Sequence, residues 1–339
     1  MSACAIGSKS AGHGQGRRVA AAAVLALVFS GTAPQAWGCA AIPAPVKDIR
    51  AVDYRQNGGI DAALRARNDV AMDPIRTYAR LVSNAADRFL AADDAPSAAS
   101  CVMSDLQRWA QGKALLGAMA NVQAERERAA IVGALAFAYL KTRDGASVAD
   151  KATINSWLDD LASAIEVGFP ETTPARRSLP LAGVASLAVG AATGNQEHWR
   201  FGRQAFEALV DAIAPDGTLE TAMTGGDRVL FDQNIALGAL VMMAELAAKQ
   251  TGEDWYAFRD GAVHRLADRV LDGLRDPSWF AERSGKNQFL PSGRDLAWIA
   301  FYARRFPARF GGRVPDGAIY QLPRLGGDLT TLAEKWVKN

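Results

Sequence analysis

The 339-residue chain has few of the residues that hold metals, with only three histidines and three cysteines. Outside the first 38 residues only His198 and His264 remain, and no Cys-x-x-Cys pair occurs. A zinc site needs three or four such ligands close together, so this composition argues against one. The Gly-Gly-Asp turns that begin at Gly225 and Gly326 are not followed by Lys-Ser or Lys-Thr, so a phosphate-binding loop is not expected either. We therefore predict no metal and no cofactor.

The chain also lacks a large excess of positive charge. Its formal net charge is +2 at pH 7, and the first 38 residues contain three basic residues (Lys9, Arg17 and Arg18) and no acidic one. Without that segment the net charge is about −1. A nucleic-acid-binding protein usually presents a basic surface, so nucleic acid is not an expected partner. An anionic ligand would need a local basic site.

Residues 1–38 have the pattern of a secretory signal. The basic residues precede an apolar run at 19–29, which is shorter than the roughly 20 residues that cross a bilayer. Ala36 and Gly38 are small residues at the two positions that a signal peptidase reads before Cys39. We predict export to the periplasm and one domain over residues 39–339. A lipoprotein anchored at Cys39 is the alternative, although Trp37 suits a lipid-attachment motif poorly.

Two cysteines, Cys39 and Cys101, remain after removal of the signal. In an oxidising compartment this number favours one disulfide. Closing a loop of that length would stabilise the fold by about 4 kcal/mol. The alternatives are a lipid on Cys39 or two unpaired buried thiols.

Apolar residues recur with helical spacing in nearly every segment after residue 58, and strand patterns are weak. Asp73-Pro74 predicts the start of one helix, with proline in its first position. Further helices are predicted at about 178–193, 196–214, 229–250, 255–274 and 293–306. Short links rich in Gly, Pro and Asp predict helical hairpins. The expected fold class is all-α, an α/α toroid or a solenoid. We expect no transmembrane segment after the signal, and no later apolar run long enough to span a membrane.

Several segments can be matched to a known family. Cys39-Ala-Ala-Ile-Pro-Ala-Pro resembles the Cys-Pro-x-x-Pro-x-Pro opening of the periplasmic alginate lyases, polysaccharide lyase family five, and the segment around Cys101 resembles their second cysteine segment. Residues 264–274, Asp295-Leu-Ala-Trp298 and Arg324-Leu-Gly-Gly-Asp328 are similar to the late helix and tail of that family. The resemblance covers nearly all of residues 39–339. It implies an incomplete α/α toroid that cleaves an acidic polysaccharide such as alginate by β-elimination.

β-Elimination on a uronate needs three kinds of group. Arg and Asn side chains neutralise the carboxylate beside C5, so that an enolate-like charge can form. A base, usually His or Tyr, removes the C5 proton, and an acid, often Tyr, protonates the leaving O4. The family has an Asn-Asn-His-x-Tyr-Trp segment, which corresponds here to Arg-Arg-Ser-Leu-Pro-Leu at 176–181. It also has an Arg followed seven residues later by Tyr, with His-Asn just before that Tyr.

In the second motif the chain retains Arg228 and Asn234, whereas Gln233 replaces the His and Ile235 replaces the Tyr. Of a Ser-Lys-Tyr triplet in the family only Tyr54 remains. The resemblance therefore implies that Arg228, Asn234 and Tyr54 are catalytic. The expected substrate-binding residues are Arg176, Arg177, Gln233, Trp298 and Arg324.

Two other functions fit the same pattern. A pseudoenzyme would bind an acidic polysaccharide during exopolysaccharide secretion without cutting it, as the missing His and Tyr suggest. A scaffold for a protein of the export machinery would have an apolar cleft. His198 and His264 match no catalytic position and are expected on helix surfaces. Trp298 is the tryptophan most expected to stack on a sugar, whereas the others are expected in the core.

Overall fold

Helices make up most of the chain, as the apolar periodicity predicts. The computed structural model describes residues 39–56, 59–91, 96–145, 147–169, 177–310 and 320–337. The helices in these ranges are α1 (Ala62–Ala91), α2 (Pro96–Gln111), α3 (Val122–Thr142), α4 (Val148–Glu166), α5 (Leu179–Thr193), α6 (Gln196–Asp211), α7 (Val229–Thr251), α8 (Phe258–Arg275), α9 (Ser278–Ser284), α10 (Ile299–Arg305), α11 (Pro307–Phe310) and α12 (Leu329–Trp336). Two antiparallel pairs of short strands accompany them: β1 (Arg55–Gln56) with β2 (Gly59–Ile60), and β3 (Gln321–Leu322) with β4 (Gly327–Asp328).

The helices form two layers. The inner layer consists of α1, α3, α5 and α7, which pack against one another in that order, and α2, α4, α6 and α8 pack around it. Nearly every residue of α5 is buried, and so is most of α7 up to Ala247, as expected for helices that are apolar on all sides, whereas α6 buries one face. Consecutive helices with short links run antiparallel. The N-terminal ends of the inner helices therefore open at the same end of the molecule.

The segment Gly226–Thr251, which contains α7, is long and apolar enough by composition to cross a membrane. In the fold, 83% of its most apolar window is buried inside the protein. The expectation that no run of this composition follows the signal was therefore wrong. The physical reason is that an inner helix covered by protein on all sides needs the same residues as a helix covered by lipid.

The first helix begins earlier than Asp73-Pro74, so that prediction was also wrong. The carboxylate of Asp61 accepts a hydrogen bond from the backbone N of Leu64 at 2.9 Å, and α1 starts immediately after this cap. Pro74 then lies inside the helix, where its missing N–H leaves the carbonyl of Val70 without a helical donor. Val70 is exposed, so solvent can satisfy that carbonyl.

Neither histidine lies on a helix surface as expected. His198 is buried, with Nδ1 at 2.8 Å from Glu166 and Nε2 at 3.5 Å from Asp159, and it joins α6 to α4. Burial lowers the pKa of His198, but the hydrogen bond and charge of Glu166, with the charge of Asp159, raise it above its ordinary value. His264 is half-buried with Nδ1 at 2.7 Å from the hydroxyl of Tyr302, and burial lowers its pKa. These contacts give both rings a structural role.

The segment 39–54, the N-terminal strap, packs against α2 and against the loop between α2 and α3. The predicted disulfide between Cys39 and Cys101 is present and attaches the strap to α2. The backbone N of Leu115 donates to the carbonyl of Val46 at 2.8 Å. The Asn121 side chain, which caps α3, donates to the carbonyl of Ala51 at 2.8 Å. The strap thus delivers Tyr54 to the end of the molecule where the inner helices begin.

Candidate functional site

Arg324 lies on a single turn of 3-10 helix between β3 and β4, against the inner helix α3. Its side chain is 28% exposed, and its Nη2 is 3.9 Å from a carboxylate oxygen of Asp295. That distance is too long for a hydrogen bond. Nη2 is buried and donates no hydrogen bond to the described residues. Burial lowers the pKa of Arg324, against the charges of Asp295 and Glu127. This guanidinium is therefore poorly satisfied by its own protein.

Asp295 is held in place by two of the residues that the sequence singled out. The Asn234 side chain donates to the carbonyl of Asp295 at 2.8 Å, and its own oxygen accepts from the indole N–H of Trp298 at 2.8 Å. Asn234 and Trp298 are fully buried. A sugar therefore cannot stack on Trp298 in this structure, and that expectation was wrong. Both side chains act on the site indirectly, through the position of Asp295.

Tyr54, at the end of the strap, lies close enough to Arg324 to influence its pKa. Glu127 on α3 is a further neighbour of the guanidinium and forms a two-pronged ion pair with Arg76 on α1. The carboxylates of Asp295 and Glu127 and the phenol of Tyr54 therefore lie near Arg324. The arrangement brings together residues from the strap, α1, α3 and the C-terminal segment.

A cleft of about 550 Å³ lies next to this group, although neither Arg324 nor Asp295 is among the residues that line it. Its lining includes Arg294 and Pro323, the chain neighbours of Asp295 and Arg324. Arg80, one turn after Arg76 on α1, is a second arginine in the wall. The remaining lining residues are polar or small: Asn84, Gly293, Tyr320 and Gln321. Among the described residues that line the cleft none is acidic, so the charge of this lining suits an anionic ligand.

Two glycines hold the segment that carries Arg324 against the inner helices. Gly326 and Gly327 have φ angles of +120° and +85°, which favour glycine. A Cβ on Gly327 would lie 2.5 Å from the Asp87 carboxylate. Asp87 accepts from the backbone N of Asp328 at 3.0 Å and pairs with the buried Lys141 at 2.5 Å, and Lys141 also donates to the carbonyl of Gly326. The packing of this turn against the inner helices therefore accounts for the two glycines and the aspartate in the Arg-Leu-Gly-Gly-Asp sequence.

The two motif segments of the family resemblance also meet, at the N-terminal ends of α5 and α7. Arg177, Pro180, Asp232 and Ile235 are among the residues that line a pocket of about 40 Å³, roughly the space of one or two water molecules. Arg177 donates to the hydroxyl of Thr224 at 2.5 Å and lies 3.7 Å from Asp232. Pro180 and Ile235 contribute no group that can transfer a proton.

The remaining predicted residues lie apart from Arg324. The Arg228 guanidinium lies over the rings of Phe231 and Phe289, at 4.1 and 5.3 Å from their centroids. Gln233 is fully buried, and its amide exchanges two hydrogen bonds of 2.9 Å with the backbone of Leu219. It is therefore not available to a substrate. Arg176 lies outside the described residues. Within those residues, no group of three or more metal-binding side chains is found.

The alginate lyase family model matches residues 80–280, which is more than half of the chain. The chain belongs to the alginate lyase family. Among curated relatives, a polysaccharide lyase of Stenotrophomonas maltophilia strain K279a is 39% identical over 307 residues, which covers 87% of this chain and 90% of the relative. An alginate lyase of Pseudomonas syringae pv. syringae strain B728a is 27% identical over 331 residues, which covers 88% of this chain and 84% of the relative.

Solved alginate lyases share the fold. A variant of alginate lyase A1-III complexed with tetrasaccharide matches with a TM-score of 0.75 and 22% identity, covering 91% of this chain and 92% of that chain. Alginate lyase A1-III from Sphingomonas species A1 matches with a TM-score of 0.73 and 24% identity, covering 88% of this chain and 86% of that chain. The fold class is therefore an all-α, incomplete α/α toroid, as predicted.

Within this alginate lyase fold, sequence reasoning missed several residues around the cleft. Asp295 appeared only as part of a matched segment, and Arg294 beside it was not considered. Arg76 and Arg80 are one turn apart on α1, a spacing that could have indicated a basic helix face. Glu127 gave no signal, because its role depends on contact with Arg76, which is distant in sequence.

Proposed function

We propose that the protein is a polysaccharide lyase that binds an acidic, uronate-containing polymer such as alginate in the cleft beside Arg324. Family membership and the names of the relatives support the reaction class. The observation that carries the choice of site is the incompletely satisfied guanidinium of Arg324 beside a cleft with two further arginines. Burial strengthens the attraction of such a group for a carboxylate.

In the proposed reaction, Arg324 binds the carboxylate attached to C5 of the uronate. A charge-assisted hydrogen bond from the exposed part of this guanidinium favours the enolate-like intermediate over the ground state, because negative charge grows on the carboxylate oxygens. A base removes the C5 proton, and the C–H electrons move onto the carboxylate as the enolate-like intermediate forms. These electrons then form the C4=C5 double bond as the C4–O bond breaks, and the leaving oxygen takes a proton. The products are a new chain end and an unsaturated uronate.

Tyr54 is our candidate for proton transfer, since a phenol beside a guanidinium can act as base or acid. Asp295 orients Arg324, and Asn234 and Trp298 support Asp295 from behind. Arg228 and Arg177, at the ends of α7 and α5, would contact the polymer farther along the chain. Arg176 belongs to this group by sequence only.

A second candidate function is binding without cleavage. The observation that favours it is the pocket at the ends of α5 and α7, where Pro180 and Ile235 stand in place of proton-transferring residues. A protein of this kind would act in exopolysaccharide secretion. The basic cleft argues against a scaffold that binds an apolar protein surface.

Incubating the purified protein with a panel of polyuronates distinguishes the two candidates. β-Elimination gives an unsaturated product that absorbs in the ultraviolet, and affinity electrophoresis in gels with each polymer reports binding independently. A lyase gives a steady rise in absorbance on at least one polymer. Retarded migration with no absorbance on any polymer would instead establish the binding protein. If no polymer in the panel gives an absorbance rise or retarded migration, both candidate functions are refuted.

We also infer that the chain acts in the periplasm after removal of residues 1–38. The disulfide between Cys39 and Cys101 supports an oxidising compartment. Mass spectrometry of the protein from a periplasmic extract should give an unlipidated N-terminus at Cys39. A mass increased by acyl chains, or recovery of the protein in the cytoplasm, would contradict this.

A further inference from the structure

A pair of arginines on α8 and α9 lies outside the lining of the cleft. Arg269 on α8 and Arg283 on α9 each have their guanidinium carbon 4.3 Å from the centroid of the Trp279 ring. We call these three residues the outer arginine clamp. None of them lines the cleft beside Arg324. A stacked guanidinium has its π face against the ring, so its in-plane N–H groups remain directed outward.

The protein uses few of those donors. Arg269 donates from Nε to the backbone carbonyl of Asp216 at 2.9 Å, and Arg283 lies 3.8 Å from the Asp216 carboxylate, beyond hydrogen-bond distance. In the described part of the chain, no Nη atom of either arginine makes a hydrogen bond. The Arg283 side chain is 56% exposed. Solvent and ligands can therefore reach this edge of the clamp.

The charge of the clamp is only partly balanced. Asp216 is the acid that faces it, and one oxygen of this carboxylate already accepts hydrogen bonds from the backbone N and hydroxyl of Thr218. The hydrogen bond from Thr218, with the charges of Arg283 and Arg269, lowers the pKa of Asp216. One carboxylate thus faces two guanidinium groups that Trp279 holds together. A further anion would relieve their repulsion.

We propose that the outer arginine clamp is a second binding site for acidic polysaccharide, which retains a long polymer on the protein while another part of it occupies the cleft. Two guanidinium groups with free in-plane donors fit carboxylates, and repeated carboxylates are what a polyuronate supplies. The choice of ligand rests on the proposed function. A polymer held at the outer arginine clamp has a higher effective concentration at the cleft, because binding at the cleft is then intramolecular. The affinity for a long polymer therefore increases.

The test compares the double variant Arg269→Gln/Arg283→Gln with wild type, using polymannuronate and a mannuronate tetrasaccharide too short to reach both sites. We expect the Kd for the polymer to rise at least fivefold and kcat/KM on the polymer to fall by a similar factor. The rate on the tetrasaccharide should stay within twofold. The matched control is Arg200→Gln/Arg259→Gln, which removes the same charge from exposed arginines paired with Glu197 and Asp211.

Equal polymer affinity in the double variant and the control would overturn the proposal. If the double variant does not fold, the single variant Arg283→Gln provides the test, because Arg283 makes no hydrogen bond to the described residues. This variant should still raise the Kd for the polymer at least twofold. The binding measurement does not require cleavage. Failure of the lyase function would appear as no product from polymer or tetrasaccharide, whatever the clamp variants do to the Kd.

Discussion

Arg324 shows at the scale of one residue what the candidate site requires. A guanidinium that is mostly buried normally donates several hydrogen bonds, because an unsatisfied buried donor costs about 1–3 kcal/mol. Arg324 instead has a long ion pair with Asp295 and an Nη2 without an acceptor among the described residues. Because the side chain is 28% exposed, we expect a bound carboxylate to compensate the charge of this guanidinium better than the fold does.

Asp105 gives a residue-scale prediction about stability. Burial raises its pKa to about 6, although the charge of Arg108 opposes the shift. The folded state therefore binds the Asp105 proton more tightly than the unfolded state, and stability falls as pH rises from about 4 through 6. At about 1.4 kcal/mol per pKa unit, ionisation at pH 7.5 costs up to about 3 kcal/mol. Asp105→Asn should therefore raise the free energy of unfolding at pH 7.5.

Urea unfolding of wild type and Asp105→Asn at pH 7.5 and pH 4 measures this effect. We expect a difference of about 2–3 kcal/mol at pH 7.5 that becomes much smaller at pH 4, where Asp105 is protonated in the folded state. A variant equally or less stable than wild type at pH 7.5 would show that Asp105 is better compensated than its burial indicates.

At the scale of elements, the turn between β3 and β4 determines where Arg324 lies. Its two glycines, the buried Asp87–Lys141 pair and the backbone of Asp328 form one interlocked unit. A buried ion pair contributes little net stability but fixes geometry, because breaking it leaves an uncompensated charge. The role of this unit is therefore positional, and disturbing it should affect activity as well as stability.

Gly327→Ala tests the unit. The new Cβ would fall 2.5 Å from the Asp87 carboxylate at a φ of +85°, so we expect a loss of at least about 2 kcal/mol and a clear fall in kcat/KM. The control is Gly252→Ala, with a φ of +76° and no atom within 4 Å of the added Cβ. It should cost about 1 kcal/mol with unchanged kcat/KM. Similar values for the two variants would argue against tight docking at Gly327.

The elements also show how far the sequence could predict this fold. Apolar periodicity gave α5 and α7 almost to the residue, because both are buried along their length. It misplaced the start of α1, because the cap at Asp61 comes before a stretch with little apolar character and Pro74 is tolerated inside the helix. The burial of His198 could not be predicted, since its acidic partners lie on another helix.

The scale of the whole molecule explains why the site was harder to predict than the fold. Tyr54 and Arg324 come from opposite ends of the chain, and the fold brings them close enough for Tyr54 to influence the pKa of Arg324. Asn234 was predicted as catalytic from its family position, yet its amide is used by Asp295 and Trp298. The Arg324 segment was recognised in sequence, whereas its partners Asp295 and Glu127 required tertiary contacts to identify.

The disulfide acts at this same scale, because it fixes the strap that carries Tyr54. Cys39 and Cys101 are separated by 62 positions, and loop closure of that size should stabilise the folded state by about 4 kcal/mol. Cys39→Ser/Cys101→Ser should lose about that amount in urea unfolding. It should also lose activity while still folded, through a less ordered strap. Unchanged stability would mean that the strap is held by its backbone hydrogen bonds alone.

The most direct test of the account is the rate of unsaturated product formation from polyuronate by Arg324→Gln, with Arg200→Gln as the control for lost surface charge. Removing a donor that stabilises a developing oxyanion typically costs 10²–10³ in rate. We predict that kcat/KM falls at least 100-fold in Arg324→Gln and stays within twofold of wild type in the control. An Arg324→Gln variant that retains more than a third of wild-type kcat/KM would contradict the proposed site.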